Sequence, residues 1–462
     1  MPCIEKEVCV CYNYMHYSTL SRWKGNPKLM LYLNEAEENF ERLTNQQLIK
    51  EENIKCLFNL LNKNHEMARA DMVRVTGLSP TTVSALVDEL VRENLVFETG
   101  FAKTMQTGRK PINLRINPTG RQIPVFAFSR WGVRYTLYNL NYEVIETIFV
   151  DHRSDQYGGF RPDAKDMSPD AGDDYANLIR DILARRSAAF RPEVSVAICV
   201  SMPGIYLPDR EEFSLSALRV TLRKASLQKL EDEFKLPIFF GNSSQSLAYA
   251  EKKYLDAVGR ETQNMLYINV CEGVGAGIIQ DGEILGGKHV FAGEIGHVSI
   301  NYRGKPCSCG GRGCLEQYVN IDAVIERVSQ IAAFNSSGIF ENLTGETEKL
   351  TLEMIGKAYD AGDKEIVEAV NDVATQLFSG IYSVVCVTGI QKVVIGGGIE
   401  KLGAGFLEKL RSLAGRTETN LLMHGLSIDY ACLSDENIGM GVAQYFIDKK
   451  FEIGKRKRQR TQ

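Results

Sequence analysis

The sequence lacks any apolar run near the roughly 20 residues a membrane-crossing helix needs, so no membrane span is expected. No leader is read from it either. The opening MPCIEKEVCVCYNYMHYSTL has no basic start followed by an apolar stretch, so no secretion signal is read there and a cytoplasmic location is expected. Positive charge is not in surplus. Lys and Arg number 54 against 58 Asp and Glu, a net charge of −4, which excludes a whole-chain polyanion binder. Any nucleic-acid contact must come from a local basic surface. The cysteines number 11, an odd count that without a leader points to reduced thiols rather than a disulfide framework. Among the scattered ones, Cys56, Cys199, Cys271 and Cys386 lie in apolar-rich stretches and are expected to be small buried hydrophobes.

What is present is enough chain for two or three domains, 462 residues. Residues 1–44 hold one Trp, four Tyr and three Cys without clear periodicity, and form an extension of uncertain status. From Asn45 the pattern becomes regular. Ile54, Leu57, Phe58 and Leu61 recur at helical spacing, which predicts an amphipathic helix over 45–63. A short helix over 68–76 should stop at Gly77. Ser79 can cap the next helix, with Pro80 at its first position and Val83, Leu86, Val87 and Leu90 as its buried stripe. Thr81, Thr82 and Ser84 fall off that stripe, where with Ser79 they can meet base edges and phosphates. A strand over 95–98, a turn with Gly108, Arg109 and Lys110, and an alternating strand from Ile112 to Ile116 complete a winged helix-turn-helix over 45–118. Arg109 and Lys110 at the wing tip suit phosphates or a narrow minor groove. The competing reading is a three-helix protein-interaction module with a solvated basic turn.

The sharpest motif is His297 followed by Cys307-Ser-Cys309-Gly-Gly-Arg-Gly-Cys314-Leu-Glu316. One imidazole and three thiolates close a tetrahedral Zn2+ shell with no open position, the mark of a structural site. Three glycines between Cys309 and Cys314 allow the tight turns that aim the sulfurs at one point. Redox thiols or chance clustering are the alternatives. Such a site would set Glu294, His297 and Glu316 on one surface. Carboxylates beside a polar donor suit a polyol, unless they merely support the ligands.

Gly293-Glu294-Ile295-Gly296-His297 with the cysteine string resembles the signature of the ROK family of repressors and sugar kinases. The stretch from Asn45 through Pro111 is similar to that family's repressor branch, which includes xylose-repressor-like and N-acetylglucosamine-repressor-like proteins. The resemblance implies a two-lobed actin- and hexokinase-like fold after the DNA-reading head, and the α/β alternation agrees. Strand-like runs stand at Val133–Asn139, Val194–Val200, Met265–Val270 and Lys392–Ile395. It implies that Asn242, Glu294, His297 and Glu316 contact sugar hydroxyls. It also exposes three departures from the kinases. Their phosphate-loop Asp is Ala127 here, with bulky Trp131 where a small hydroxyl residue is expected. Their general base is Ser243, a loss worth roughly 10²–10⁴-fold in rate. The leading glycine of the phosphate turn is Cys271, followed by Glu272.

The expected organisation is a head over 45–118, a first lobe over 119–243, a second lobe over 244–450 carrying the zinc knot and a returning helix, and a basic tail over 451–462. The expected function is a sugar-responsive DNA-binding regulator of carbohydrate metabolism, a repressor before an activator, with no kinase activity and no catalytic residues. Its partners would be an operator duplex, a sugar or sugar-phosphate effector, and further copies of itself as a homodimer or homotetramer. The alternative is an ATP-dependent sugar kinase with an appended DNA reader.

Overall fold

In the computed structural model the described residues are 47, 49–101, 112–129, 131–151, 171–207, 212–215, 220–286, 292–334, 350–415 and 423–451. Among them the chain divides into two compact units. One runs to Glu93 and takes in Glu98–Leu114; the other takes Asn94–Phe97 and Arg115–Phe451. The wing tip with Arg109 and Lys110, residues 1–44, the polar stretch 153–170 and the basic tail beyond Phe451 lie outside the described residues.

The smaller unit is built on three helices. Helix α1 (49–64) buries Ile54, Leu57, Phe58 and Leu61 as one stripe. Helix α2 (Arg69–Thr76) ends at Gly77, whose φ of 70° lets its N–H reach the Val73 carbonyl at 2.9 Å. Helix α3 (Pro80–Arg92) is capped by Ser79, whose hydroxyl accepts from the Thr82 N–H at 3.1 Å, and buries Val83, Leu86, Val87 and Leu90. Strands β2 (Val96–Phe101) and β3 (Ile112–Ile116) follow. A two-residue strand β1 (Met67–Ala68) pairs antiparallel with β3, so α2 starts one residue later than its sequence pattern predicts.

The larger unit contains two five-stranded sheets of like design. The first has the order β11-β7-β4-β5-β6. Strands β4 (Gln122–Phe128), β5 (Gly132–Asn139) and β6 (Val144–Asp151) form an antiparallel meander, and β7 (Ile198–Met202) and β11 (Ile238–Asn242) run parallel to β4. The second has the order β14-β13-β12-β15-β16, with β12 (Met265–Val270), β13 (Val274–Gln280) and β14 (Glu283–Ile284) antiparallel and β15 (Lys392–Gly396) and β16 (Ser427–Tyr430) parallel to β12. The shared pattern is the two-lobed α/β fold that the resemblance implies. A strand such as Met265–Val270, buried at every residue and apolar but for Asn269, is what a sheet covered on both faces requires. Helix α6 (Ser243–Ala257) leaves β11 and packs on β13, and helix α12 (Ile438–Tyr445) crosses it so closely that a Cβ on Gly441 would stand 1.9 Å from the Ser246 carbonyl oxygen.

Helix α10 (Lys364–Thr388) is long and apolar enough, by length and composition, to cross a membrane. Its stripe of Ile366, Val370, Val373, Leu377 and Ile381 is built into the core of the second lobe.

Two expectations need correction. The run Val194–Val200 is not one strand. Residues 192–194 form a turn, Ser195 makes an isolated parallel bridge with Gln122, and the strand begins at Ile198. Of the four cysteines expected to be buried only Cys199 is. Cys56 and Cys386 are exposed and Cys271 is half-buried. The error came from reading apolar neighbours without helical phase. Cys56 lies beside the stripe of α1, and Cys386 follows the last buried residue of α10, Val385, so both turn outward.

Candidate metal centre and flanking carboxylates

The loop from Ser299 to Leu315 is a knot of short-range backbone bonds. Ser299 bridges to Cys314 and Pro306 to Arg312, while the Cys307 N–H donates to the Gly311 carbonyl at 2.9 Å. Gly313 has a φ of 65°, and a Cβ there would lie 1.6 Å from the Asn301 carbonyl oxygen, so only glycine closes the loop. Closure brings His297, Cys307, Cys309 and Cys314 together, with their ligand atoms all within 4.8 Å of one another. Cys309 Sγ and Cys314 Sγ are 3.7 Å apart, and Cys307 Sγ is 3.6 Å from His297 Nδ1. A tetrahedral ion with bonds of about 2.3 Å to sulfur and about 2.0 Å to nitrogen sets S···S near ~3.8 Å and S···N near ~3.6 Å. The spacing fits such an ion and is far too wide for a disulfide. Burial and the neighbouring sulfurs push the Cys314 thiol up to about 12. The Gly311 N–H holds the Cys309 thiol below its ordinary value. Four converging donors can hold a metal ion, and the His297 and cysteine residues read from the sequence are the ones brought together.

The imidazole has two faces. Nδ1 points into the sulfur cluster, while Nε2 lies 3.8 Å from the Glu294 carboxylate. Burial raises the pKa of Glu294, His297 pulls it back and Glu316 pushes it further up. Glu316 opens the short helix α7 (Glu316–Val319), and its Oε2 accepts from the Val274 N–H at 3.0 Å. It thereby ties the cysteine loop to the glycine turn between β12 and β13, a link the sequence did not announce. Asn242 stands apart in role. Its side-chain oxygen caps α6 by accepting from the Ser244 and Gln245 N–H groups, and its amide nitrogen donates to the Gly204 carbonyl at 3.2 Å. It fixes the Pro203-Gly204 loop to the start of α6.

The turns that the resemblance matches to the kinases' phosphate loops are closed or acidic here. Between β4 and β5 the Ser129 N–H donates to the Gly132 carbonyl at 2.9 Å, and Trp131 stands 44% exposed at the tip. Ala127 sits within β4, opposite Arg134. Ser243, the first residue of α6, is 6% exposed and accepts from Ser201 Oγ at 3.4 Å. Further along α6 stands Glu251. It is buried, and its carboxylate accepts the Cys432 and Leu433 backbone N–H groups. In the β12–β13 turn, burial and the Glu272 carboxylate push the Cys271 thiol up to about 12. Burial, Glu400 and Glu272 together raise Asp435 to about 6. Glu400 also accepts the Gly398 N–H at 2.8 Å. Glu400 and Asp435 carry no spacing signal in the sequence, because loops far apart in the chain bring them to Glu272.

In the smaller unit, Ser79, Thr81 and Thr82 gather at the start of α3. Ser79 Oγ lies 2.8 Å from each threonine hydroxyl. Ser84, one turn further on, is half-buried.

Comparison with known proteins identifies the family. The xylose repressor of Caldicellulosiruptor bescii is 26% identical over 405 residues, covering 86% of this chain and 96% of that protein. The N-acetylglucosamine repressor of Escherichia coli O6:H1 is 24% identical over 373 residues, covering 80% and 86%. The crystal structure of a ROK family transcriptional regulator, described as a homolog of the Escherichia coli MLC protein, superposes with a TM-score of 0.70 at 22% identity over 87% of this chain and 97% of that one. The sequence model described as ROK family matches residues 169–449, more than half of the sequence. The chain belongs to the ROK family.

Proposed function

We propose that this protein is a sugar-responsive transcription repressor whose larger unit binds the effector and transfers no phosphoryl group. One observation carries the reading. The similarity to the xylose repressor spans 405 residues, more than the larger unit contains, and so extends into the helical head. Helices α2 and α3 with the strands β2 and β3 make that head a winged helix-turn-helix, with α3 as the recognition helix. Ser79, Thr81, Thr82 and Ser84 on α3 would meet the operator, with Arg109 and Lys110 of the wing tip. A homodimer would set two such helices in successive major grooves. The reading places the protein in the cytoplasm, beside the DNA it controls.

The effector is a sugar held by Asn242, Glu294, His297 and Glu316, with Asn242 also fixing the Pro203-Gly204 loop. The relatives' names make xylose and N-acetylglucosamine the first candidates. The ion is structural Zn2+, held by His297, Cys307, Cys309 and Cys314, and its chemistry is to fix the imidazole so that Nε2 faces the sugar. Sugar binding would shift DNA affinity by about 5–150-fold, the ordinary range of such coupling. The absence of Asp at Ala127 and Ser243, and the carboxylates at Glu272, Glu400 and Asp435, oppose phosphate binding and proton removal.

The test is electrophoretic mobility shift on operator DNA selected from a random library, with and without xylose, glucose and N-acetylglucosamine. Release of DNA by one sugar, without ATP, is expected. A chain that binds no DNA at low salt, or that phosphorylates a sugar from ATP, would overturn the proposal.

A further inference from the structure

Arg69 opens α2, and its guanidinium reaches three acceptors on two other elements. Nη1 donates to the Ser84 carbonyl of α3 at 3.2 Å and pairs with Asp88 of the same helix at 2.8 Å. Nη2 pairs with Glu98 of β2 at 3.3 Å. Beside it, Thr99 Oγ1 donates to the Glu66 carboxylate at 2.9 Å and to the Asn113 carbonyl at 3.3 Å, so β2 is fastened to the start of α2 by Arg69 and to the residue before β1 by Thr99. We infer that Arg69 is a positioning residue for DNA reading, a planar fork that sets the angle between the recognition helix and the wing.

The argument is geometric and electrostatic. A helix inserted in the major groove and a hairpin tip aimed at the neighbouring backbone must keep one mutual orientation, or only one of them engages at a time. Backbone bonds of the sheet hold β1, β2 and β3 together, but they do not fix α3 against β2. Arg69 does, because a guanidinium presents several donors in a rigid plane, and lysine cannot satisfy the same three acceptors. Nor is Arg69 placed to be a phosphate contact. Its side chain is 30% exposed, and the Asp88 and Glu98 carboxylates on it, 59% and 44% exposed, would repel an approaching phosphate.

The inference rests on the DNA-reading proposal, and its test separates the two. Operator and random-sequence DNA are titrated by fluorescence anisotropy against the full chain and its Arg69→Met, Arg69→Lys and Glu98→Gln variants over a range of salt. Arg69→Met should weaken operator binding roughly 5–30-fold, the order of one lost base contact, while binding to random DNA stays within about twofold. The slope of affinity against salt should not change, and Arg69→Lys should recover part of the loss. Equal loss on both DNAs with a slope smaller by about 1 would mean a phosphate contact and overturn the inference. So would an unchanged ratio of operator to random binding. Thermal unfolding checks that each variant folds. If Arg69→Met does not, Glu98→Gln, which frees only the wing side, must show a smaller loss of the same kind. A wild-type chain that selects no sequence removes the DNA-reading proposal and this inference together.

Discussion

The cysteine loop and the hairpin turns belong to the same unit but have been treated oppositely. Around the loop the metal-ligand types converge. Three sulfurs and His297 Nδ1 share one centre, Glu294 faces the other imidazole nitrogen, and Glu316 is fastened to Val274. At the turns the groups diverge from any phosphate. The β4–β5 turn closes on itself through Ser129 and Gly132, and the β12–β13 turn carries Glu272 near Glu400 and Asp435. Two sheets of one design thus carry, in the same unit, a loop where metal-ligand types converge and a turn where carboxylates gather. On the repressor reading the first would be the retained ligand floor and the second the lost phosphate site.

The comparison breaks most visibly if the metal is removed. Cys314→Ser, or exhaustive chelation, should cost on the order of 4 kcal/mol of stability, read as a lower melting temperature, because a closed metal site is folding free energy for its loop. The effect should extend to sugar binding, since His297 loses the ion that orients it. A chelated protein with unchanged melting and unchanged sugar response would mean that the knot is held by its backbone bonds alone.

The next effect is confined to the floor. Glu316→Ala removes an acceptor of the Val274 N–H as well as a ligand contact, and should weaken the sugar response roughly 10–100-fold by the usual worth of charged hydrogen bonds. Glu294→Gln keeps the shape and loses only the charge, so about tenfold is expected. Equilibrium titration of each variant with the active sugar, alongside a melting curve, distinguishes lost contacts from lost fold.

On the other side the expected effect is nil, and that sharpens the contrast. Ser243→Asp restores the residue type a general base needs, yet Glu272, Glu400 and Asp435 stay in place. Radiolabelled ATP with the active sugar should show no transfer by the variant. Transfer at even a thousandth of an ordinary kinase rate would show that the turns still admit a nucleotide, and that the loss lies in one residue.

The floor was largely legible in the sequence because its residues are local. His297 and the three cysteines fall within eighteen residues, and a knot of that length can be read from its ligand types and glycines. The stripes of α1 and α3 were legible for the same reason, since periodicity is a property of neighbours. What escaped is long-range. The carboxylate pair Glu400 and Asp435 meets Glu272 across more than a hundred residues, and Glu251 reaches Cys432 over 181 positions. Asn242 was readable as a polar residue before α6, but its commitment to the helix cap and to Gly204 depends on where β11 ends. The strand at Val194–Val200 failed at its start because Pro192 opens a turn, closed by the Ser195 N–H on the Arg191 and Pro192 carbonyls, that the apolar run concealed.

The smallest effect lies at the edge of the acidic turn. Burial first, then Glu400 and Glu272, raise Asp435 from 3.8 to about 6, with Lys401 opposing. The native state therefore binds the extra proton more readily than the unfolded chain does. Between about pH 4 and 6 this group makes stability fall as pH rises, and above 6 its ionised form is a standing penalty. Asp435→Asn should raise the melting temperature at pH 8 and change it less at pH 5. The side chain keeps solvent contact, so the gain is at most on the order of 1 kcal/mol. High salt should shrink the part owed to Glu272 and Glu400 and leave the part owed to burial. A gain equal at both pH values would mean that no carboxylate repulsion is relieved, and the turn would then be acidic in composition without being hostile to an anion.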